Sequence, residues 1–87
     1  MAFDGTPDEQ FASAQAAVKT LTTDPGNEVK LTLYALYKQS TSGDVSGKRP
    51  GFTDPVGKAK YDAWKRVAGI SQDDAKLRYA DTVAGLL

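Results

Sequence analysis

The sequence contains neither cysteine nor histidine. Disulfides, zinc sites built on those ligands, catalytic thiols and imidazole general bases therefore lie outside its chemistry. A nucleophilic Ser or Thr would have only carboxylates, Lys or Tyr as its base, and no such pair forms a recognisable constellation. The glycines match neither G-x-x-x-x-G-K-[ST] nor G-x-G-x-x-G, so a backbone phosphate cradle is absent and any phosphate must be held by side chains. The longest unbroken apolar run is the five residues from Leu33 to Tyr37, where a membrane-spanning helix needs about 18 or more. The opening MAFDGTPDEQ has acids where a signal peptide carries basic and then apolar residues, which leads to the expectation of a cytoplasmic protein. Excess charge is missing too: eleven Lys and Arg balance eleven Asp and Glu, so nothing global draws the chain to nucleic acid. With 87 residues, there is room for one domain with one core.

What is present is helical. Thr6-Pro7-Asp8-Glu9 reads as a cap, a first-turn proline and a capping box. Phe11, Ala14, Val18 and Leu21 then recur at helical spacing toward an end near Thr22. Asp24-Pro25 repeats the start signal, and a second helix runs through Val29, Leu31, Leu33, Leu36 and Tyr37 until Ser42-Gly43 stops it. Ser42 to Pro55 holds three Gly and two Pro in fourteen residues, which predicts an unusually long loop. A third helix is expected over Val56 to Ala68, closed by Gly69. The fourth opens at Ser71 and carries Ala75, Tyr79, Val83 and Leu86 on one face to the end of the chain. No segment alternates with period two over more than a few residues, so the fold class is all-α. Short connections near Thr23 and Ile70 make those neighbours antiparallel, while the long loop lets helices two and three run the same way. An up-down-down-up four-helix bundle satisfies both conditions.

The zero net charge hides a gradient. Residues 1–37 carry two basic residues and five acids, residues 38–66 carry seven basic residues and three acids, and residues 67–87 return to a net of minus one. The middle segment is thus the positive one, at plus four. Within the second helix Tyr34, Tyr37, Lys38 and Thr41 share a face, where two phenols, an ammonium and a hydroxyl could stack a flat ring and hold a phosphate. Periodicity alone favours the plainer reading, in which the tyrosines pack between helices while Lys38 reaches solvent. Lys58, Lys60, Lys65 and Arg66 read by pattern alone as a solvated face. Trp64 is expected in the core or lining a cavity.

One stretch is more specific. YALYKQSTSGDVSGKRPG followed by GKAKYDAW closely resembles the signature of the acyl-CoA-binding proteins, and the likeness extends from Phe11 to about Leu86, including Pro25 and Tyr79. The resemblance implies a single acyl-CoA-binding domain over residues 1–87, with residues 1–5 flexible, folded as an up-down-down-up four-helix bundle. It implies a monomeric carrier of medium- and long-chain acyl-CoA thioesters, not an enzyme, with acyl-CoA as ligand and no cofactor, metal or nucleic-acid partner. By the same resemblance, Tyr34, Lys38 and Lys60 grip the 3'-phosphate of CoA and the adenine stacks near Tyr37. Ala14, Lys19 and Tyr79 complete the nucleotide and pantetheine surroundings, and the acyl chain lies in an apolar groove between helices.

This chain departs from the family pattern at Tyr61, where Trp is usual, at Pro55, where an aromatic or apolar residue is common, and at Val56, where Lys is usual. The Val56 change lowers the positive field near the pyrophosphate, and Tyr61 alters the edge of the groove. A competing reading from another class is a small helical adaptor that takes an amphipathic partner helix. A helical nucleic-acid binder is disfavoured by the acids Asp44, Asp54 and Asp62 that interrupt the basic segment.

Overall fold

The computed structural model describes residues 3–87, which form four helices: α1 (Pro7–Val18), α2 (Asn27–Ser42), α3 (Pro55–Arg66) and α4 (Gln72–Ala84). Among the described residues there is no strand, and no helix is long and apolar enough to cross a membrane. Of the residues expected to be flexible, Met1 and Ala2 lie outside the described residues, while Phe3 packs against the core.

The helix starts follow from local side-chain chemistry. Thr6 accepts from the Glu9 amide at 3.2 Å, and Glu9 Oε1 accepts from the Thr6 amide at 3.0 Å, completing the capping box. Asp54 and Ser71 cap α3 and α4 in the same way, taking the amides of Gly57 and Asp74. The start of α2 differs from the sequence expectation. Asp24 Oδ1 accepts from the Gly26 amide at 2.8 Å, so the aspartate builds a turn, and Gly26 at φ +95° supplies the left-handed residue that turns the chain into Asn27.

Helix ends also fall earlier than periodicity predicts. Beyond Val18 the Thr20 and Leu21 amides bond carbonyls three residues back, and the Thr20 hydroxyl donates to the Ala17 carbonyl at 2.6 Å. These tighter bonds replace the α-helical ladder, ending α1 before Thr22. Val67, Ala68 and Ile70 make the same three-residue bonds, so α3 stops at Arg66 instead of Ala68.

Side-chain pairings fix the directions. Asp8 meets Lys76 and Phe11 meets Tyr79, so α1 and α4 run in parallel. Phe11 also meets Tyr37, whereas Val18 shares a crevice with Leu33, which makes α1 and α2 antiparallel. Lys60 lies over Tyr34 and Lys38 over Trp64, so α2 and α3 are parallel. The topology is therefore up-down-down-up. The core lies among α1, α2 and α4 and contains Phe11, Ala14, Leu33, Leu36, Ala75, Tyr79, Ala80 and Val83. Ala14, Ala75 and Val83 are fully enclosed, and small side chains at such places let helix axes approach closely. α3 buries only Ala63 and packs on α2 alone. One layer of paired helices is consequently open on its flanks.

The long loop is held by polar contacts. Gln39, 1% exposed, donates from Nε2 to Asp44 Oδ1 and to the Ile70 carbonyl, each at 2.7 Å. Asp44 Oδ1 also accepts from the Gly69 amide at 2.8 Å. Tyr61 donates to the Gly47 carbonyl, and Arg49 makes a two-pronged pair with Asp62 at 2.7 Å for both bonds. The Gly69 amide first, and then the Gln39 side chain, hold the Asp44 carboxyl below its ordinary range. A depressed folded-state pKa contributes stability above the unfolded value, and that contribution is lost as pH falls through the folded one. Asp44→Asn is therefore expected to flatten the acid limb of the stability-versus-pH curve. Urea melts of both proteins from neutral to acid pH check this; parallel acid limbs would show that the carboxylate is not a linked group.

Candidate functional site

The parallel run of α2 and α3 brings four residues into one layer. At one level Tyr34 of α2 lies under Lys60 of α3, with the ammonium 5.3 Å from the ring centroid. One turn further on the order is reversed, and Lys38 of α2 stands 4.9 Å over the ring of Trp64 of α3. The two helices thus exchange cation for ring at successive turns, because Tyr34 and Lys38 are four apart on one helix and Lys60 and Trp64 four apart on the other. Trp64 is anchored by its Nε1–H, which donates to the Gly43 carbonyl at 2.8 Å.

Neither ammonium has a carboxylate partner among the described residues, whereas Lys30, Arg49 and Lys76 are each ion-paired. An exposed cation–ring contact contributes about 0.5–1 kcal/mol, and a charge-assisted hydrogen bond to an anion is stronger. Lys38 and Lys60 are therefore positioned but not neutralised. The Arg49 pair is the main cause that holds the Asp62 carboxyl below its ordinary range, and the nearby charges of Lys58 and Arg66 add to it without pairing with it.

Beside Tyr34 and Lys60 an open groove of about 390 Å³ separates the two helices, with Leu31, Pro55, Val56 and Ala59 among its walls. On the other flank of α2, Tyr37 is 41% exposed and tilts its ring against Phe11 at 5.9 Å. Phe11 in turn meets the buried Tyr79 ring edge-on at 5.0 Å. Burial first, and the neighbouring Tyr37 second, push the Tyr79 phenol up from its ordinary value. It remains a neutral hydroxyl at physiological pH, able to donate a hydrogen bond but unsuited to act as a base.

Two of the expected residues stand apart. Ala14 is 0% exposed within the core, where its small side chain serves the approach of α1 to α4. Lys19 is exposed at the C-terminal cap of α1 and does not join the α2–α3 ladder. Sequence pattern assigns Trp64 only to the core or a cavity wall, yet its ring supports Lys38. The signal for that role is its spacing of four from Lys60, matching the spacing of Tyr34 and Lys38. No group of three or more Asp or Glu able to hold a metal occurs among the described residues.

Residues 8–83 match the family described as acyl CoA binding protein. The chain belongs to that family. Among acyl-CoA-binding proteins, the chain is 47% identical over 77 residues to acyl-CoA-binding protein homolog 1 of Caenorhabditis elegans, covering 88% of this chain and 90% of that protein. It superposes on the crystal structure of Oryza sativa acyl-CoA-binding protein 2 with a TM-score of 0.87 at 41% identity, covering 92% of this chain and 87% of the other. It also matches enoyl-CoA delta isomerase 2 of Rattus norvegicus at 47% identity over 78 residues, but the chain spans only 20% of that protein's length while 90% of the chain is covered. The acyl-CoA-binding protein domain thus occurs both on its own and within a longer chain. Its four-helix form agrees with the topology derived above from side-chain pairings.

Proposed function

We propose that this chain is a non-catalytic carrier of medium- and long-chain acyl-CoA thioesters, working as a monomer in the cytoplasm. The observation that carries the reading is the presence of two ammonium groups with no carboxylate partner among the described residues, Lys38 and Lys60, each held over a ring, with Lys60 and Tyr34 lining an apolar groove. A phosphate entering between them gains charge-assisted hydrogen bonds from both, with the Tyr34 hydroxyl as a third donor. Tyr37, exposed on the same helix, offers its ring to the adenine. Tyr79 and Lys19 contribute at the edges of the nucleotide and pantetheine, and the acyl chain lies along Leu31, Val56 and Ala59.

Such a ligand is bound at both ends of its chemistry, and neither end suffices alone. Calorimetric titration with palmitoyl-CoA, free CoA and palmitate should therefore rank palmitoyl-CoA tightest by a wide margin. Equal affinities for CoA and palmitoyl-CoA would sink the carrier reading. An adaptor for a partner helix would bind none of the three. The same incubations, followed with a thiol reagent, are expected to release CoA no faster than buffer, because no base-paired nucleophile is in reach of a thioester. Protein-dependent thiol release that survives repurification would replace the carrier by a hydrolase.

A further inference from the structure

The ammonium of Lys38 stands 4.9 Å from the centroid of the Trp64 ring, and the same indole uses its one donor elsewhere, giving Nε1–H to the Gly43 carbonyl at 2.8 Å. Trp64 therefore meets α2 at two points, one on the face of its ring and one on the edge. The edge contact is to a fixed group. Gly43 ends α2 at φ +82° and ψ −152°, a positive φ that favours glycine, and its amide donates to the Gln39 carbonyl at 3.2 Å. The next residue, Asp44, accepts from the Gln39 side chain and from the Gly69 amide. The peptide that accepts from the indole is thus tied on both sides, to α2 and to the α3–α4 connection. A ring anchored in this way has its face set before any ligand arrives.

We propose that Trp64 is a positioning residue for Lys38: its anchored ring holds the ammonium at the place from which it meets the 3'-phosphate of CoA. The role rests on the carrier reading. A lysine side chain has four rotatable bonds, and immobilising so flexible a group during binding weakens a complex by roughly two- to tenfold. A lysine that already rests on a ring is ordered in the free protein, so binding does not incur that loss again. The ring also leaves the ammonium available. It attracts the cation through its face, while the N–H bonds directed away from the ring still donate to an anion on the far side. Phe offers the face without the donor and Leu offers neither, so the two contributions of the indole are separable by substitution.

A double-mutant cycle on the full chain tests this, with palmitoyl-CoA and palmitoyl-(3'-dephospho)-CoA as probes. Trp64→Leu is expected to weaken palmitoyl-CoA binding by roughly two- to tenfold, and to weaken the dephosphorylated ligand much less. In the Lys38→Ala background the same substitution should change palmitoyl-CoA affinity by less than about twofold, because the group it positions is gone. A ring that only packed α3 against α2 would cost both ligands and both backgrounds equally. In the ligand-free protein, the ε-methylene protons of Lys38 should be shifted upfield by the indole ring current and return to ordinary lysine positions in Trp64→Leu. Trp64→Phe keeps the ring face and most of the volume but not the Nε1–H donor. Its penalty should be smaller and again confined to the phosphorylated ligand, so the test stands even if the leucine variant does not fold. Equal penalties with and without Lys38, or Lys38 protons at ordinary positions in the wild type, overturn the positioning role and leave the carrier reading intact. Wild-type protein that binds no palmitoyl-CoA overturns the carrier reading and the role with it; the ring-current shift, which needs no ligand, tells the two failures apart.

Discussion

Each methylene added to the acyl chain is expected to tighten binding by up to about fourfold, so that dodecanoyl-CoA binds more tightly than octanoyl-CoA by at most roughly two hundredfold. The step per carbon comes from about 0.8 kcal/mol of transfer free energy for a buried methylene, and it applies only while each new carbon meets apolar wall. The groove supplies that wall with Leu31, Val56 and Ala59. It is open along one side, so the full fourfold step is a ceiling, and the plot of log affinity against chain length should bend to a plateau once the tail emerges into water. Ala59→Phe should bring the plateau to shorter chains, because the ring would occupy space now open between α2 and α3. Titration of even-numbered acyl-CoAs against both proteins measures the slope and the bend. A flat series would mean that the acyl chain stays in solvent and that only the headgroup is held.

The parts of this site legible in the sequence are those carried by one helix. Tyr34 and Lys38 are four apart on α2, so their common face follows from the helical repeat alone. What stands opposite them does not, because the exchange of Lys60 for Trp64 one turn later depends on α2 and α3 being parallel and in register. Helix starts are legible at Thr6, Asp54 and Ser71 because a cap bonds an amide three residues away. Helix ends are not, because Val18 and Arg66 give way to three-residue hydrogen bonds that the side-chain pattern does not announce. Gln39 carries no mark in the sequence at all. Its importance comes from the Ile70 carbonyl, thirty-one residues away, and nothing in its neighbourhood along the chain distinguishes it from a surface glutamine. The core position of Ala14 is legible, because helical periodicity places it on the stripe of Phe11 and Val18 and it is fully buried.

Lys60→Ala is expected to weaken palmitoyl-CoA binding by roughly ten- to hundredfold, while Lys65→Ala changes it by little more than about twofold. Both variants remove one positive charge from α3, so net charge is controlled. Their five-residue separation puts the two side chains about 500° apart around the helix axis, equivalent to roughly 140°, and they cannot both face one phosphate. Lys60 points toward Tyr34, whereas Lys65 is exposed near the end of the helix. Losing a hydrogen bond to a charged group costs about 1.5–3 kcal/mol, against about 0.5 kcal/mol or less for an isolated surface side chain. The cation–ring contact with Tyr34 is a smaller interaction, so its loss from the free protein does not offset that cost. Palmitoyl-(3'-dephospho)-CoA supplies the control: with the phosphate gone, the Lys60 penalty should shrink and the small Lys65 effect should stay the same. If the two variants lose affinity equally, and dephosphorylation alters neither loss, the segment acts as a diffuse positive field and Lys60 is not part of a phosphate grip.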